Sequence, residues 1–255
     1  MIVDVLRHAS AAALAEAVAA RTVTTLVERV SEAGAAHLCL TGGGIGTAVL
    51  TALRNSPAVD AIDWSRVHVW WGDERFVSAD DPDRNDAAAR YALLDHVDIP
   101  AANIHPMPAR DRTHTDVDAA ADSYAGELLQ FARPDDVVPS MDILMLGIGP
   151  DGHVASLFPE MPALHDDRPV VGVHGSPKPP PLRITMSLPT ICAAQQVWIL
   201  ASGEAKAPAV RLALTDTAGP FQVPAAGARG RVRTLFCLDE AAASALPVDM
   251  GRPSA

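Results

Sequence analysis

The sequence predicts an α/β fold, in which a mostly parallel, doubly wound sheet carries helices on both faces. Three observations predict it. Short apolar runs typical of buried strands alternate with helical segments along the whole chain, and several of these runs end in a glycine-rich or charged turn. Apolar residues make up 49% of the 255 residues, which is enough for a sizeable core. No linker is long enough to separate two domains, so residues 1–255 are expected to form one domain.

The spacing of apolar residues and the turn residues predict each element in order. The first helix is expected to begin after Ser10, a helix-capping residue, and to end at Gly34. The remaining elements are a strand at 37–40, a glycine turn at 41–44, a helix at 45–54, a strand at 67–71, helices at 85–96 and 116–131, strands at 141–146, 183–186 and 197–201, a helix at 203–214 and a strand at 234–238. Alternating strands and helices predict parallel pairing.

Composition limits the partners. The formal net charge of −11 argues against nucleic acid or an anionic membrane as the main partner, because both require a basic surface. No apolar stretch approaches the roughly 20 residues of a membrane span, and the alanine-rich N-terminal stretch is too polar for a signal peptide. Cys39, Cys192 and Cys237 lie in apolar runs and indicate reduced core cysteines. We expect a cytoplasmic monomer or small homo-oligomer.

Three segments that follow predicted strands are candidates for a binding site: residues 41–47, 72–75 and 147–153. In a doubly wound sheet, ligands bind beyond the carboxyl ends of the strands, so these segments are expected to meet at one edge. The acidic protein as a whole repels an anionic substrate, so a few local cations must capture it. Screening helps, because distant exposed charges fade over roughly 8–10 Å at cellular salt.

Gly42, Gly43 and Gly44 open the second predicted helix. Glycines let the backbone approach a ligand closely, and the free N–H groups of a helix start favour an anion such as a phosphate monoester. A tight turn without a ligand is the alternative. A dinucleotide site fits poorly, since the sixth position of the G-x-G-x-x-G pattern is Thr47, and no lysine stands where a P-loop requires one.

The segment Asp73-Glu74-Arg75 is either a solvated charged turn or part of the site. In the second case, Arg75 is suited to holding an anion or stabilising an oxyanion. Arg183, at the start of a strand, and Lys206, near a helix start, are further cations that either bind a phosphate or are ordinary surface charges.

His153 is the candidate catalytic base, because histidine titrates near neutrality and can take a proton from water. Asp151 either orients the imidazole ring or bonds the local backbone. No cluster of His, Cys and Asp has metal-ligand spacing, and the absence of a G-x-S-x-G motif disfavours a serine hydrolase.

Taken together and in this order, the segments resemble the 6-phosphogluconolactonase family, which is Rossmann-like and similar in fold to glucosamine-6-phosphate deaminase. The matching pieces are LTGGG at 40–44, WWGDERFV at 70–77, the helix start at Asn85, GIGPDGHVASLFP at 147–159, RITMSLP at 183–189 and SGEAK at 202–206.

The resemblance implies a single sugar-phosphate lactonase domain that hydrolyses 6-phospho-D-glucono-1,5-lactone in the pentose phosphate pathway without cofactor or metal. It implies that His153 activates water, that Arg75 faces the lactone or its oxyanion, and that Asp73 and Asp151 line or order the site. The 6-phosphate would be held by the substrate-binding set Gly42, Gly43, Gly44, Arg183 and Lys206.

The chain departs from the family pattern at Gly44, where relatives often carry a serine or threonine. Two alternatives remain open at this stage. A deaminase-type isomerase would carry a glutamate five residues after the histidine, where this chain has Phe158, and tends to have a tyrosine at the place of Arg75. A non-catalytic sugar-phosphate-binding domain of a regulator would require a DNA-binding unit, for which the acidic chain leaves no segment.

Overall fold

Seven strands form one parallel sheet in the structure, a computed structural model that describes residues 2–215, 218–247 and 249–253. The strands are β1 (Ile2–His8), β2 (Ala36–Leu40), β3 (Val67–Trp71), β5 (Ile143–Gly147), β8 (Gln196–Ala201), β9 (Arg233–Asp239) and β10 (Arg252–Pro253). They lie side by side in the order β10-β1-β9-β8-β5-β2-β3.

Both faces of this sheet are covered. Successive side chains of a strand point to opposite faces, and Ile143, Leu144, Met145 and Leu146 of β5 are all at most 2% exposed. Strands that are buried on both faces contain nearly continuous apolar runs, which is why β5 could be recognised from the sequence. The predicted doubly wound α/β fold is confirmed.

The strand order reverses next to β2. The chain passes from β2 to β3 at one edge of the sheet and later returns to place β5 on the other side of β2. Thr41 directly follows β2, and its Oγ1 accepts a hydrogen bond from the backbone N–H of Gly147 at the end of β5, at 3.1 Å. A crevice at the carboxyl ends of β2 and β5 is therefore expected, because ligands bind where the order of strands reverses.

A second, antiparallel sheet of three strands was not predicted. It contains β4 (Asp73–Arg75), β7 (Arg183–Met186) and β6 (Val170–Val173), in the order β4-β7-β6. Strand β4 follows β3 almost without interruption and pairs with β7 so that Arg75 lies opposite Arg183. Residues 73–75 are therefore not a solvated charged turn, which was one of the two alternatives for this segment. They form a strand that the sequence did not predict, because its partner is more than 100 residues away and leaves no local signal.

Helices connect the strands. They are α1 (Ala11–Ala33), α2 (Gly43–Asn55), α3 (Asn85–Ala92), α4 (Val117–Gln130), α5 (Leu188–Cys192), α6 (Ala207–Leu214) and α7 (Pro224–Gly227). Ser10 caps α1 by accepting from the backbone N–H of Ala13, and Gly34 ends it with φ of 81°, as predicted. Asp116 caps α4 in the same way.

The predicted bounds differ from the observed ones mainly at helix ends. Helix α2 begins at Gly43, two residues before the predicted start. Helix α3 ends at Ala92, and residues 94–96 form a separate 3-10 turn, as do residues 204–206 before α6. Strands β1 and β6 and the short helices α5 and α7 were not predicted, since each is short or lacks a clear apolar period.

Three histidines lie together beside Trp70 near one edge of the sheet. His37 and His68 are opposite each other on β2 and β3, with ring centroids 5.1 Å apart. His105 stacks on Trp70 at 3.9 Å, and the indole Nε1 of Trp70 donates to His37 Nδ1 at 3.1 Å. Burial, and to a smaller degree the two neighbouring histidines, lower the pKa of His37 to about 4. His37 is therefore neutral in the folded protein at neutral pH.

We expect His37 to make folding stability depend on pH between about 4 and 6.5. In this window the unfolded chain binds a proton at His37 that the folded chain does not, so the free energy of unfolding falls as pH falls, by up to about 3 kcal/mol. The free energy of unfolding is measured by urea denaturation at pH 4.5 to 7.5, with tryptophan fluorescence as the signal. The variant His37→Gln keeps an acceptor for Trp70 and should lose part of the pH dependence. Parallel curves for the two proteins would contradict the assignment.

Candidate functional site

A cavity of 630 Å³ lies at the carboxyl ends of β2, β5 and β8, where the strand order reverses. The predicted site residues meet there. Those that line the cavity are Gly42, Gly43, Gly44, Asp73, Arg75, His153, Arg183 and Lys206. Asp151 is not part of the lining but contacts His153 from behind. Segments from five separate parts of the chain are thus brought to one place.

The glycine turn forms the start of α2. Gly42 precedes the helix, and Gly43 and Gly44 are its first two residues, whose backbone N–H groups have no intrahelical acceptor. A Cβ at Gly42 would lie 1.9 Å from Oδ1 of Asn85, so the side chain of Asn85 packs directly on this glycine. A Cβ at Gly43 or Gly44 would meet nothing within 4 Å. This turn is therefore open to the cavity and suited to an anion.

Successive side chains of β4 point to opposite sides of the strand, so its three charged residues do not all face the cavity. Asp73 and Arg75 line the cavity, whereas Glu74 points the other way and is fully buried. The Glu74 carboxylate accepts hydrogen bonds from the backbone N–H groups of Arg75, Asn85 and Asp86 at 2.8–2.9 Å. Burial raises the pKa of Glu74 to about 7, although Arg84 and these N–H groups lower it. Glu74 thus ties β4 to the start of α3, a role that the sequence did not reveal.

Asp73 and Arg75 are held at the cavity wall by hydrogen bonds to other segments. Oδ2 of Asp73 accepts from Ser156 Oγ at 2.7 Å, and its backbone carbonyl accepts from Asn85 Nδ2 at 2.9 Å. Arg75 donates through Nη1 to the backbone carbonyl of Asp83. Ser156 follows His153 by three residues, so it links the loop after β5 to β4.

The loop after β5 places His153 in the cavity with Asp151 behind it. Oδ1 of Asp151 lies 2.5 Å from Nδ1 of His153, so Asp151 contacts the ring, which the sequence had left open. A Cβ at Gly149 would lie 2.0 Å from this same Nδ1 and 2.3 Å from the carboxylate oxygen. Only glycine fits at position 149, because any side chain would occupy the space in which the two groups meet.

Burial lowers the pKa of His153, and the carboxylate of Asp151 opposes this shift. Part of the burial comes from Phe158, whose ring lies 4.5 Å from the imidazole, centroid to centroid. His153 is therefore neutral at neutral pH. A proton on Nδ1 that is donated to Asp151 leaves the lone pair on Nε2 free to accept a proton.

Two lysines and one arginine complete the cavity. Arg183, on β7, is 6% exposed and donates through Nε and Nη2 to the backbone carbonyls of residues 178–180. Lys206 lies directly before α6. Lys178, in the proline-rich segment 176–181, also lines the cavity. The sequence predicted this segment only as an extended connector. The lysine among its four prolines was the signal that could have identified the segment as part of the site.

Thr41, Asn85 and Ser202 line the cavity as well. Thr41 directly precedes the glycine turn, and its hydroxyl accepts the hydrogen bond from the backbone N–H of Gly147. Within residues 2–215, 218–247 and 249–253, no three His, Cys, Asp or Glu side chains are grouped so that they could hold a metal ion. No helix in the same ranges is both long and apolar enough to cross a membrane.

Comparison with known proteins identifies the family of this chain. A family model described as glucosamine-6-phosphate isomerases/6-phosphogluconolactonase matches residues 9–236. A relative from Streptomyces coelicolor, named 6-phosphogluconolactonase, is 53% identical over 97% of this chain and 96% of its own length. The structure of 6-phosphogluconolactonase from Trypanosoma brucei aligns with a TM-score of 0.83 at 28% identity and covers 96% of this chain and 98% of that chain.

A monomeric glucosamine-6-phosphate deaminase aligns with a TM-score of 0.77 at 22% identity, over 95% of this chain and 99% of that chain, which shows a shared fold. The predicted relation in fold to the deaminase is confirmed. With a family model that spans most of the sequence and a relative that is 53% identical, the chain belongs to the glucosamine-6-phosphate isomerase/6-phosphogluconolactonase family.

Proposed function

We propose that this protein hydrolyses 6-phospho-D-glucono-1,5-lactone to 6-phosphogluconate, as a cytoplasmic enzyme of the pentose phosphate pathway, with His153 as the general base. The observation that carries the proposal is the 2.5 Å contact between Asp151 and His153, on the wall of a cavity that also holds an open helix start and several cations. The names of the relatives support the same reaction.

In this proposal the substrate's phosphate binds at the start of α2. Gly42, Gly43 and Gly44 line the same cavity as Lys206, so their backbone N–H groups and its ammonium are available to one anion. Arg183 uses Nε and Nη2 to hold the carbonyls of residues 178–180, which leaves Nη1 for a phosphate oxygen. Charge-assisted hydrogen bonds of this kind are about twice as strong as neutral ones, so a few donors can hold an anion on an acidic protein.

The hydrolysis then requires one base and one oxyanion site. His153, with its Nδ1 proton donated to Asp151, takes a proton through Nε2 from water, and the resulting hydroxide attacks the lactone carbonyl carbon. Arg75 and nearby backbone N–H groups stabilise the tetrahedral oxyanion. The intermediate collapses with cleavage of the bond to the ring oxygen, which takes the proton from His153. Asp73, fixed by Ser156, orders this side of the cavity.

His153→Ala is expected to lower kcat for the phosphorylated lactone at least about a hundredfold, because general base catalysis contributes about 10²–10⁴-fold. A lactone-hydrolysis assay, corrected for spontaneous hydrolysis, measures it. His165→Ala removes an exposed histidine that stacks on Phe221 and serves as the control. Near-normal turnover by His153→Ala would refute the base assignment. Release of ammonia from glucosamine 6-phosphate by the wild type, without lactone turnover, would refute the lactonase proposal.

Asp151→Asn is expected to move the acid limb of the kcat/KM profile to lower pH and to lower kcat. Asp151 raises the pKa of His153 against the effect of burial, so removal of its charge lets that pKa fall further. An amide also holds the productive tautomer less firmly. The measurement is the pH profile between pH 5 and 8 for both proteins. An acid limb at the same pH as in the wild type would show that Asp151 has no electrostatic role at His153.

Lys206→Met is expected to raise KM for the phosphorylated lactone about tenfold or more while kcat changes little, because the ammonium would bind phosphate equally in ground and transition states. The turnover of unphosphorylated gluconolactone should be unaffected by the same substitution. Arg211→Met removes an exposed cation of α6, the helix that follows Lys206, and is the matched control. Equal kcat/KM of the wild type for the two lactones would exclude a phosphate site.

A further inference from the structure

The distribution of lysine in this chain is uneven. Of the 20 lysines and arginines, only Lys178 and Lys206 are lysines, and both line the cavity. Lysine differs from arginine in carrying a compact charge on a flexible stem, with three donors that can turn toward a ligand. Both lysines of the chain are therefore at the site, and all cations of the lysine/arginine type outside the site are arginines.

The backbone of Lys178 is held firmly. Its N–H donates to Ser176 Oγ at 3.3 Å, and its carbonyl accepts from Ser176 Oγ at 2.9 Å and from Arg183 Nη2 at 3.1 Å. The backbone N–H of Ser176 donates in turn to the carbonyl of Pro181 at 2.9 Å, which closes the segment on itself. A displacement of the Lys178 ammonium therefore does not require the loop to move.

The side chain of Lys178, in contrast, is loosely held. It is 46% exposed, and its Nζ lies 4.0 Å from Oδ1 of Asp151, at the outer limit of an ion pair. This is the same carboxylate oxygen that contacts Nδ1 of His153 at 2.5 Å. Lys178 and His153 thus share one oxygen of Asp151.

Lys178 also acts on Lys206. After burial, the charge of Lys178 is the next cause that lowers the pKa of Lys206, so the two ammonium groups repel each other. The same charge contributes to lowering the pKa of His153. A dianionic phosphate placed at the glycine turn beside Lys206 would attract Lys178 more strongly than the single carboxylate does, and it would relieve the repulsion between the lysines.

We propose that Lys178 is an exchangeable cation, which pairs with Asp151 and moves to the substrate's phosphate beside Lys206 when substrate binds. This inference rests on the proposed phosphate site. Once Lys178 has left, the whole charge of Asp151 acts on His153. The base is thus strengthened by the arrival of a phosphorylated substrate, and an unphosphorylated lactone leaves it weaker.

The first test follows the two lysines directly. Protein labelled with ¹³C at lysine Cε gives two lysine resonances, which Lys178→Arg and Lys206→Arg assign. Titration with inorganic phosphate is expected to shift both resonances with the same midpoint. If only Lys206 responds, the inference about Lys178 is wrong and the phosphate site stands. If neither responds to phosphate or to 6-phosphogluconate, the phosphate site itself is wrong.

The second test measures the pKa of His153 by NMR of ¹³C-labelled histidine, with and without phosphate. Lys178→Met should raise this pKa in the free protein, reduce the further rise that phosphate causes, and weaken phosphate binding about tenfold. Arg168→Met is the matched control, since Arg168 is about half exposed and pairs with Asp166 outside the cavity. An unchanged pKa of His153 in Lys178→Met, or the same shift in Arg168→Met, would overturn the proposed coupling.

Discussion

Parallel pairing of β2 with both β3 and β5 is the constraint on which the rest of this structure depends. It directs the carboxyl ends of all three strands to one edge, so that the glycine turn, the segment 73–75 and the His153 loop emerge side by side. The hydrogen bond from the backbone N–H of Gly147 to the Thr41 hydroxyl directly joins the chain at the ends of β5 and β2. If one of these strands ran in the opposite direction, the segment that follows it would emerge at the opposite edge of the sheet and could not meet the other two.

Because the chain is acidic, the placement of its few cations determines where an anion can bind. With a net charge of −11, the protein as a whole repels an anion, yet Arg75, Lys178, Arg183 and Lys206 all line one cavity. The buried Arg183 and the partly exposed lysines contribute differently. Arg183 is fixed by three backbone carbonyls, whereas the lysine side chains retain the freedom to adjust to a ligand. Arg183 thus fixes the loop that contains residues 178–180, while the two lysines are free to adjust to the proposed phosphate.

Sequence reasoning succeeded where the information was local. The cap at Ser10, the buried runs of β2, β3 and β5, and the grouping of site residues at strand ends all follow from patterns within a few residues. It failed where a contact joins distant positions. Residues 73–75 became a strand because they pair with 183–185, and Glu74 acquired its role from N–H groups of α3. The contact of Asp151 with His153 depends on the space left at Gly149, which a motif alone does not reveal.

Phe158 bears on both the proposed reaction and the proposed base, His153. The resemblance to the wider family implies a glutamate at this position in a deaminase, where it serves acid–base work on an amino sugar. Here an aromatic ring that is 1% exposed packs against His153 and lies 6.0 Å beneath the guanidinium of Arg183. With phenylalanine at this position, the cavity lacks the titratable glutamate implied for a deaminase. The ring also contributes to the burial that keeps His153 neutral. A neutral imidazole with an apolar wall on one side and a carboxylate on Nδ1 is suited to accept one proton from water, which is what lactone hydrolysis requires.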